Sequence, residues 1–357
     1  MVAYTQLKDF LTDIFESIGC SKADAVTTAN VLLAAELRNI NSHGLIRVKD
    51  YYNLWKQGRL NPTPNIEIVH ETPSTAVVDG DNGLGMLVGL KAMQIAMDKA
   101  EKVGTGWVSV RNSNHFGIAG YYTMQALKRD MIGMAMTNAN PLVAPTFSTD
   151  KLLGTNPISV AIPAGNEAPF VADFATTPIA RGKLEVMHKK GLKAPDGFVQ
   201  DKYGESSNDP NILTEGGAIL PLGGDYVHGS HKGYCLGAIV DIFSAVLSGA
   251  NFGPYVPPSV AYLPVLPDLP GIGTGHFFGA MRIDGFQPAD EFKKYMDLWI
   301  RTFKEATPAK GQNRVFVPGE PEREWEAIRM KEGIPVLDRV KEELSLIAKE
   351  LNIKMSF

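Results

Sequence analysis

Cysteine is nearly missing from this 357-residue sequence: Cys20 and Cys235 stand alone, with no CxxC pair. Two isolated thiols exclude a disulfide framework and fit a reducing compartment. Excess positive charge is missing as well. Against 39 Asp and Glu stand 35 Lys and Arg, a net charge of −4, so the chain lacks the basic footprint of a nucleic-acid binder. The first residues, MVAYTQLKDFL, lack the charged-then-apolar pattern of a secretory signal, and a cytoplasmic location is expected. Only Tyr234 to Phe252 approaches membrane-spanning length. Asp241 at its centre would cost about 3 kcal/mol in a bilayer. The small residues Gly237, Ala238, Ser244, Ala245 and Ser248 also line it, so it reads as a tightly packed core helix. No GxGxxG and no Walker A sequence occurs, and the clusters Gly80/Gly83/Gly85 and Gly271/Gly273/Gly275 have the wrong spacing for either. His228 and His231 form an HxxH without a cysteine or the glutamate of HExxH, so no metal is expected. Internal repeats and low-complexity tracts are also absent.

What remains is an ordinary globular composition, 44% hydrophobic and 21% charged, long enough for two domains or one with an appended subdomain. Helical periodicity opens the chain. Thr5 to Ile18 places Leu7, Phe10, Ile14 and Ile18 on one face with Gly19 past its end. Ser21 and Asp24 resemble a capping box for a second helix carrying Val26, Ala29, Leu33 and Leu37. A third runs from about Asn41 or Ser42 to near Gly58. From Ile66 short β-rich runs alternate with helices: IEIVHET, STAVVDGD, a helix over about Leu90 to Glu101, WVSVR, a helix ending near Asp130, MIGMAMTNA, NPISVAIP, PFVADFA, a helix from about Pro178, and GHFFGAMRI. Such alternation implies an α/β core. Lys190 to Asp225 reads as a long surface excursion. Apolar stripes return at Phe292, Met296, Trp299 and Phe303, then at Leu337, Val340, Leu344, Ile347 and Leu351. These predict a helical subdomain built by both chain ends, residues 1–72 and 289–357, around a core of 73–288.

Three stretches carry candidate chemistry. In N-I-N-S-H-G-L-I-R-V-K-D-Y-Y, a helix capped at Asn41 or Ser42 would place His43, Arg47 and Tyr51 at i, i+4 and i+8. Two cationic groups in a first turn oppose the helix dipole, which fits a bound anion there. A guanidinium fork and a titratable imidazole together suit a small carboxylate whose neighbouring carbon undergoes proton chemistry. His115 follows the strand WVSVR on the loop N-S-N-H-F-G, at the strand end where α/β proteins place catalytic groups. D-F-A-T-T-P-I-A-R-G-K, residues 173–183, joins a strand to a helix bearing Arg181 and Lys183, a turn able to hold a phosphate without a glycine fingerprint.

S-H-G-x-x-R at 42–47, R-N-S-N-H-F-G at 111–117, T-N-x-x-P at 137–141, G-T-N-P at 154–157, D-F-A-T-T-x-x-A-R-G-K at 173–183, H-K-G-Y at 231–234 and P-G-E at 318–320 occur in that order. Jointly they resemble the malate/L-lactate dehydrogenase family that lacks a Rossmann fold, over nearly the whole chain. The resemblance implies a non-Rossmann, mixed-sheet α/β core with a helical subdomain, and a homodimer with sites near the subunit interface. It implies that Ser42, His43, Arg47 and His115 line the substrate, with Tyr51 and Asn156 beside them. Cofactor contacts would come from Asn138, Ala139, Asn140, Asp173, Phe174, Ala175, Thr176, Arg181, Lys232, Pro318, Gly319 and Glu320. Ala139 stands where many relatives carry serine, and the 190–225 segment is longer than usual. The implied activity is hydride transfer between NAD or NADP, NAD first, and a small 2-hydroxy acid or its 2-oxo counterpart, malate or lactate first. Of the two imidazoles, His115 is read as the acid/base and His43 as a polarising partner. Ureidoglycolate oxidation or cyclic imino-acid reduction would use the same clamp and cofactor. A hydro-lyase or a non-catalytic nucleotide-binding protein is the reading from another class.

Overall fold

The computed structural model describes residues 1–357. Helix α1 (Tyr4–Ser17) is followed by α2 (Lys22–Leu37), whose N-cap Ser21 accepts the Asp24 N–H at 3.2 Å. Two 3₁₀ turns, Asn41–His43 and Leu45–Arg47, precede α3 (Val48–Lys56). The expected continuous third helix therefore begins six to seven residues late, and Gly44 separates the two turns. His43 and Arg47 stand ahead of the helix rather than in its first turn, which carries Asp50, the charge its dipole prefers.

The sheet then begins with β1 (Glu67–Glu71) and β2 (Thr75–Asp79), followed by α4 (Gly85–Val103), β3 (Thr105–Ser113) and α5 (Ala119–Leu127). Next come β4 (Met131–Thr137), β5 (Ile158–Ile162), β6 (Phe170–Phe174) and α6 (Arg181–Lys189). Within 190–225 lie three short strands, β7 (Val199–Gln200), β8 (Ser206–Ser207) and β9 (Ala218–Ile219). They form a separate sheet over a small core of Val143, Leu184, Val199, Ile212 and Ile219, so this segment is a folded appendage and not a bare excursion. Helix α7 (Ser230–Asp241) continues as a π-helical turn to Val246. β10 (Thr274–Arg282), α8 (Ala289–Lys304), α9 (Glu320–Glu332) and α10 (Asp338–Glu350) complete the chain.

The large sheet has the order β1-β2-β3-β10-β4-β5-β6, and only β2 and β3 are parallel, joined by the crossover helix α4. β10 lies antiparallel between β3 and β4, so those two strands point the same way. β5 and β6 each reverse direction again. By this alternation the C-terminal ends of β2, β3, β4 and β6 and the starts of β5 and β10 share one edge of the sheet. The loops after Ser113, Thr137 and Phe174, and the turn before Ile158, all open there.

Helices α4 and α5 cover one face, packing Val88, Met93 and Tyr122 against Phe278 of β10. The α7–π segment covers the other, where Met136, Val240 and Phe277 pack and Phe243 O accepts the Ser109 hydroxyl at 2.9 Å. Its remaining side is open: Ile239, Ile242, Val246 and Leu247 are exposed. The stretch expected to be a core helix is thus buried on one side only.

Helices α1, α2 and α3 share one core with Val340, Leu344 and Ile347 of α10. α8 packs elsewhere. Its Asp297, 4% exposed, accepts the N–H groups of Gly165, Asn166 and Glu167 at 2.9, 2.8 and 3.1 Å, and Trp299 meets Phe170 edge-on. A mid-helix carboxylate with three donors on the β5–β6 turn fixes α8 to the sheet's edge, away from the N-terminal helices.

Candidate active site

Helix α2 ends against a buried carboxylate. Glu36 accepts the Leu45 N–H at 2.8 Å, bending the chain through Gly44 and presenting the turns of His43 and Arg47 at the sheet edge. Ser42 Oγ lies 2.8 Å from His43 Nδ1, and Arg47 Nε donates to Ser42 O at 2.8 Å. One Arg47 Nη also reaches Asp50 at 3.2 Å. From α3, the hydroxyl of buried Tyr51 meets His115 Nδ1 at 2.7 Å.

His115 arrives from the opposite side, two residues past β3. Its loop is pinned: Asn114 Nδ2 donates to Asn82 O and Gly83 O, both at 3.0 Å. Gly85, the first residue of α4, backs it so closely that a Cβ there would lie 2.1 Å from Asn114 O. Phe116 is buried against Tyr122 and His276. The loop is therefore a locked platform, not a surface turn. The rings of His43 and His115 stack at 5.4 Å, and their Nε2 atoms carry no hydrogen bond to the protein. Burial, with the Arg47 charge beside it, pushes His43 down to about 4. Burial first, then His43, Arg47 and His276, pushes His115 well below the usual histidine range. Two neutral imidazoles and an arginine thus converge where three distant segments meet.

Beneath them lies His276 of β10, fully buried, its Nδ1 2.7 Å from Thr137 Oγ1 and its Nε2 2.8 Å from Ser113 Oγ. Nothing in the sequence reading singled it out; a histidine within the apolar run GHFFGAM was the available signal. Glu36 was missed too, although a carboxylate one turn on from Leu32 and Leu33, on the helix's apolar stripe, signals a buried partner.

A narrow cleft lined by Arg38, Ile40, Gly120, Val171, Asp173 and Glu322 adjoins the His43 turn. Asp173 accepts the Gly120 N–H at 2.7 Å near the start of α5. Its side chain keeps a solvent-facing side, yet the surrounding protein pushes its carboxyl up to about 6. Phe174 is exposed beside it. Arg181 opens α6, where its guanidinium meets Glu185 and the Tyr262 hydroxyl. Lys232 stands exposed in the first turn of α7. Neither α6 nor α7 has a side-chain N-cap, and Lys183 and Lys232 form no ion pair.

Other residues from the sequence reading are turned inward. Asn156 is fully buried: its Oδ1 accepts the Ala139 N–H at 3.1 Å and its Nδ2 donates to Gly237 O at 2.9 Å. Asn138 donates to Asp241 and to Asn251 O and accepts the Gly275 N–H. Buried Thr176 donates to Thr155 O and Asn156 O. These side chains are engaged in building the sheet edge. Asn140 Oδ1 accepts the Ser259 N–H, while Ala139 and Ala175 offer only backbone. Pro318 O accepts the Val171 N–H, Gly319 caps α9 at φ 90°, and Glu320 lies near Lys304 and Arg314 at 3.8 and 4.0 Å. That motif braces β6. His228 pairs with Asp225, and no group of three or more His, Cys, Asp or Glu is arranged to hold a metal ion. No helix is long and apolar enough to cross a membrane.

Residues 2–345 match the family model described as malate/L-lactate dehydrogenase. A malate dehydrogenase of Pyrococcus abyssi is 40% identical over 350 residues, 98% of this chain and 94% of that protein. The solved structure of a sulfolactate dehydrogenase from Methanocaldococcus jannaschii superposes with a TM-score of 0.90 at 38% identity, covering 99% of this chain and 98% of that one. A malate dehydrogenase structure from Entamoeba histolytica gives 0.91 at 34% identity, covering 100% and 99%. With the loops after β3, β4 and β6 opening on one sheet edge and the similarity running through both chains, this chain belongs to the malate/L-lactate dehydrogenase family.

Proposed function

We propose that this oxidoreductase of hydroxy acids transfers a hydride between C2 of malate and NAD, with lactate and NADP as second choices. The observation that carries the reading is the convergence of His115, Tyr51, His43 and Arg47 at the mouth of the sheet edge. Arg47 holds the C1 carboxylate through its terminal nitrogens, one of which also reaches Asp50, since Nε is already engaged by Ser42 O. With Tyr51 occupying Nδ1, His115 meets the substrate hydroxyl through Nε2. Burial keeps the ring neutral at neutral pH, and in the tautomer whose Nδ1–H donates to the Tyr51 oxygen, Nε2 carries the lone pair that takes the hydroxyl proton during oxidation. His43, stacked on it, polarises the same oxygen. Asp173, Phe174, Arg181 and Lys232 are the cofactor-facing residues in this reading, and the bound nicotinamide supplies the hydride acceptor. The two unpaired cysteines fit a reducing cytoplasm.

Absorbance at 340 nm with malate plus NAD, then NADP, tests this. A signal with ureidoglycolate or a cyclic imino acid and none with malate would move the substrate within the same chemistry. Turnover without a change at that wavelength would mean a lyase, and binding without turnover a sensor.

Two expectations follow. Arg47→Lys reduces kcat/KM for malate by about 10 to 100-fold, because a point charge cannot reproduce the fork and a hydrogen bond to a charged group contributes about 1.5–3 kcal/mol. Steady-state kinetics beside a cofactor titration check it: cofactor affinity should hold, and a change under twofold in kcat/KM removes the clamp. The exposed apolar side of α7 and its π turn supports a homodimer. Sedimentation of a fully active species at the monomer mass of 38.8 kDa would contradict it.

A further inference from the structure

We infer that Glu36 is a positioning residue for the substrate turn: seated under Gly44 and bonded to the Leu45 N–H, it sets the angle between His43 and Arg47. This rests on the reading that those two residues face the substrate. Three observations carry it. Glu36 is 3% exposed at the end of α2, and one carboxylate oxygen accepts the Leu45 N–H at 2.8 Å. The carboxylate fills the space beside Gly44 so completely that a Cβ there would lie 2.3 Å from Oε1 and 2.6 Å from Cδ. From the far side, buried Arg329 of α9 donates to Glu36 O, to Asn41 Oδ1 at 3.0 Å and to Asn39 Oδ1 at 2.5 Å. The chain on both sides of Gly44 is thus tied down, by the Glu36 carboxylate at Leu45 and by the Arg329 guanidinium at Asn39 and Asn41. Burial raises the carboxyl's pKa to about 7, opposed by the Leu45 N–H and the Arg329 charge.

The test uses the full chain with malate and the nicotinamide dinucleotide, in the variants Glu36→Gln, Glu36→Ala, Gly44→Ala and Glu36→Ala/Gly44→Ala. Misplacing a reacting group by an ångström costs on the order of 100-fold. Glu36→Ala and Gly44→Ala should therefore each lower kcat/KM for malate by about 10 to 100-fold, with cofactor Kd unchanged within about twofold. Glu36→Gln keeps an acceptor for Leu45 and should recover activity to within about fivefold of the parent. The Gly44→Ala loss should vanish in the Glu36→Ala background, because the atoms its Cβ strikes are gone. Parental kcat/KM in Glu36→Ala or Gly44→Ala overturns the inference, as does additivity of the two losses. A parallel fall in cofactor affinity and melting temperature in Glu36→Gln would reduce Glu36 to packing. Should Glu36→Ala fail to fold, Gly44→Ala and Glu36→Gln decide alone. An active parent insensitive to Arg47→Lys and His115→Gln would instead sink the site reading itself, whatever the Glu36 variants do.

Discussion

Replacing His115 by glutamine lowers kcat by about 10² to 10⁴-fold while cofactor affinity stays within twofold, since general acid–base catalysis is typically worth that much. Glutamine keeps the volume and a hydrogen-bonding partner for Tyr51, so the pinned loop at Asn114 and Gly85 is undisturbed. What it loses is a nitrogen able to take and return a proton. Tyr51 sits 2.7 Å from Nδ1, the orienting contact that directs Nε2 outward. Because burial and the neighbouring Arg47 charge hold the ring neutral, oxidation should stay open through the neutral pH range, with no histidine titration limiting it there. Single-turnover absorbance at 340 nm with a separate cofactor titration makes the measurement. Near-parental turnover in His115→Gln together with a collapse in His43→Gln would exchange the two roles.

Acidification should destabilise the fold through His276, and the sign is fixed by its burial. The imidazole is inaccessible in the folded chain and is pushed down to about 3, against about 6.5 in an unfolded chain. Below pH 6.5 the unfolded state takes up a proton that the native state refuses, so stability falls as pH drops and levels off near the folded value. The slope is about 1.4 kcal/mol per pH unit, and the window sums to about 3–5 kcal/mol, a large share of an ordinary domain's stability. His43 and His115 act in the same direction. Glu36 and Asp173 act oppositely: their raised folded values add stability as pH falls through the range just below neutrality. The comparison that isolates His276 is therefore with His276→Gln, which can still reach Thr137 and Ser113. Urea unfolding at pH 6, 5 and 4 should show the parent losing about 1.4 kcal/mol per unit relative to the variant. A constant difference across that range would mean that His276 is charged, or solvated, in the native protein.

Much of this molecule was legible locally. Ser21 and Asp24 announced α2, the short β-rich runs announced β2, β3, β5, β6 and β10, and the absence of GxGxxG correctly pointed away from a Rossmann sheet. Local signals misled where a tertiary contact overrode them. His43, Arg47 and Tyr51 have helical spacing, yet Glu36, seven residues before His43, captures the Leu45 N–H and breaks the helix at Gly44. The Phe292–Phe303 stripe resembles that of α10, yet Asp297 between its apolar residues finds three backbone donors on another turn and carries α8 to the sheet edge. Asn138 and Asn156 have the residue type of ligand contacts, yet their amides are consumed by Asp241, Gly275, Ala139 and Gly237.

By itself the sequence determined the element types, the chemistry of the motifs and their order along the chain, because propensity, period and side-chain chemistry act over a few residues. Only the tertiary structure decided that those motifs meet. β10, more than 130 residues after β4, inserts antiparallel between β3 and β4, and that insertion turns both strand ends to the same edge. Long-range pairing of this kind is set by which faces and edges can be buried together, a property of the whole chain that no local window contains.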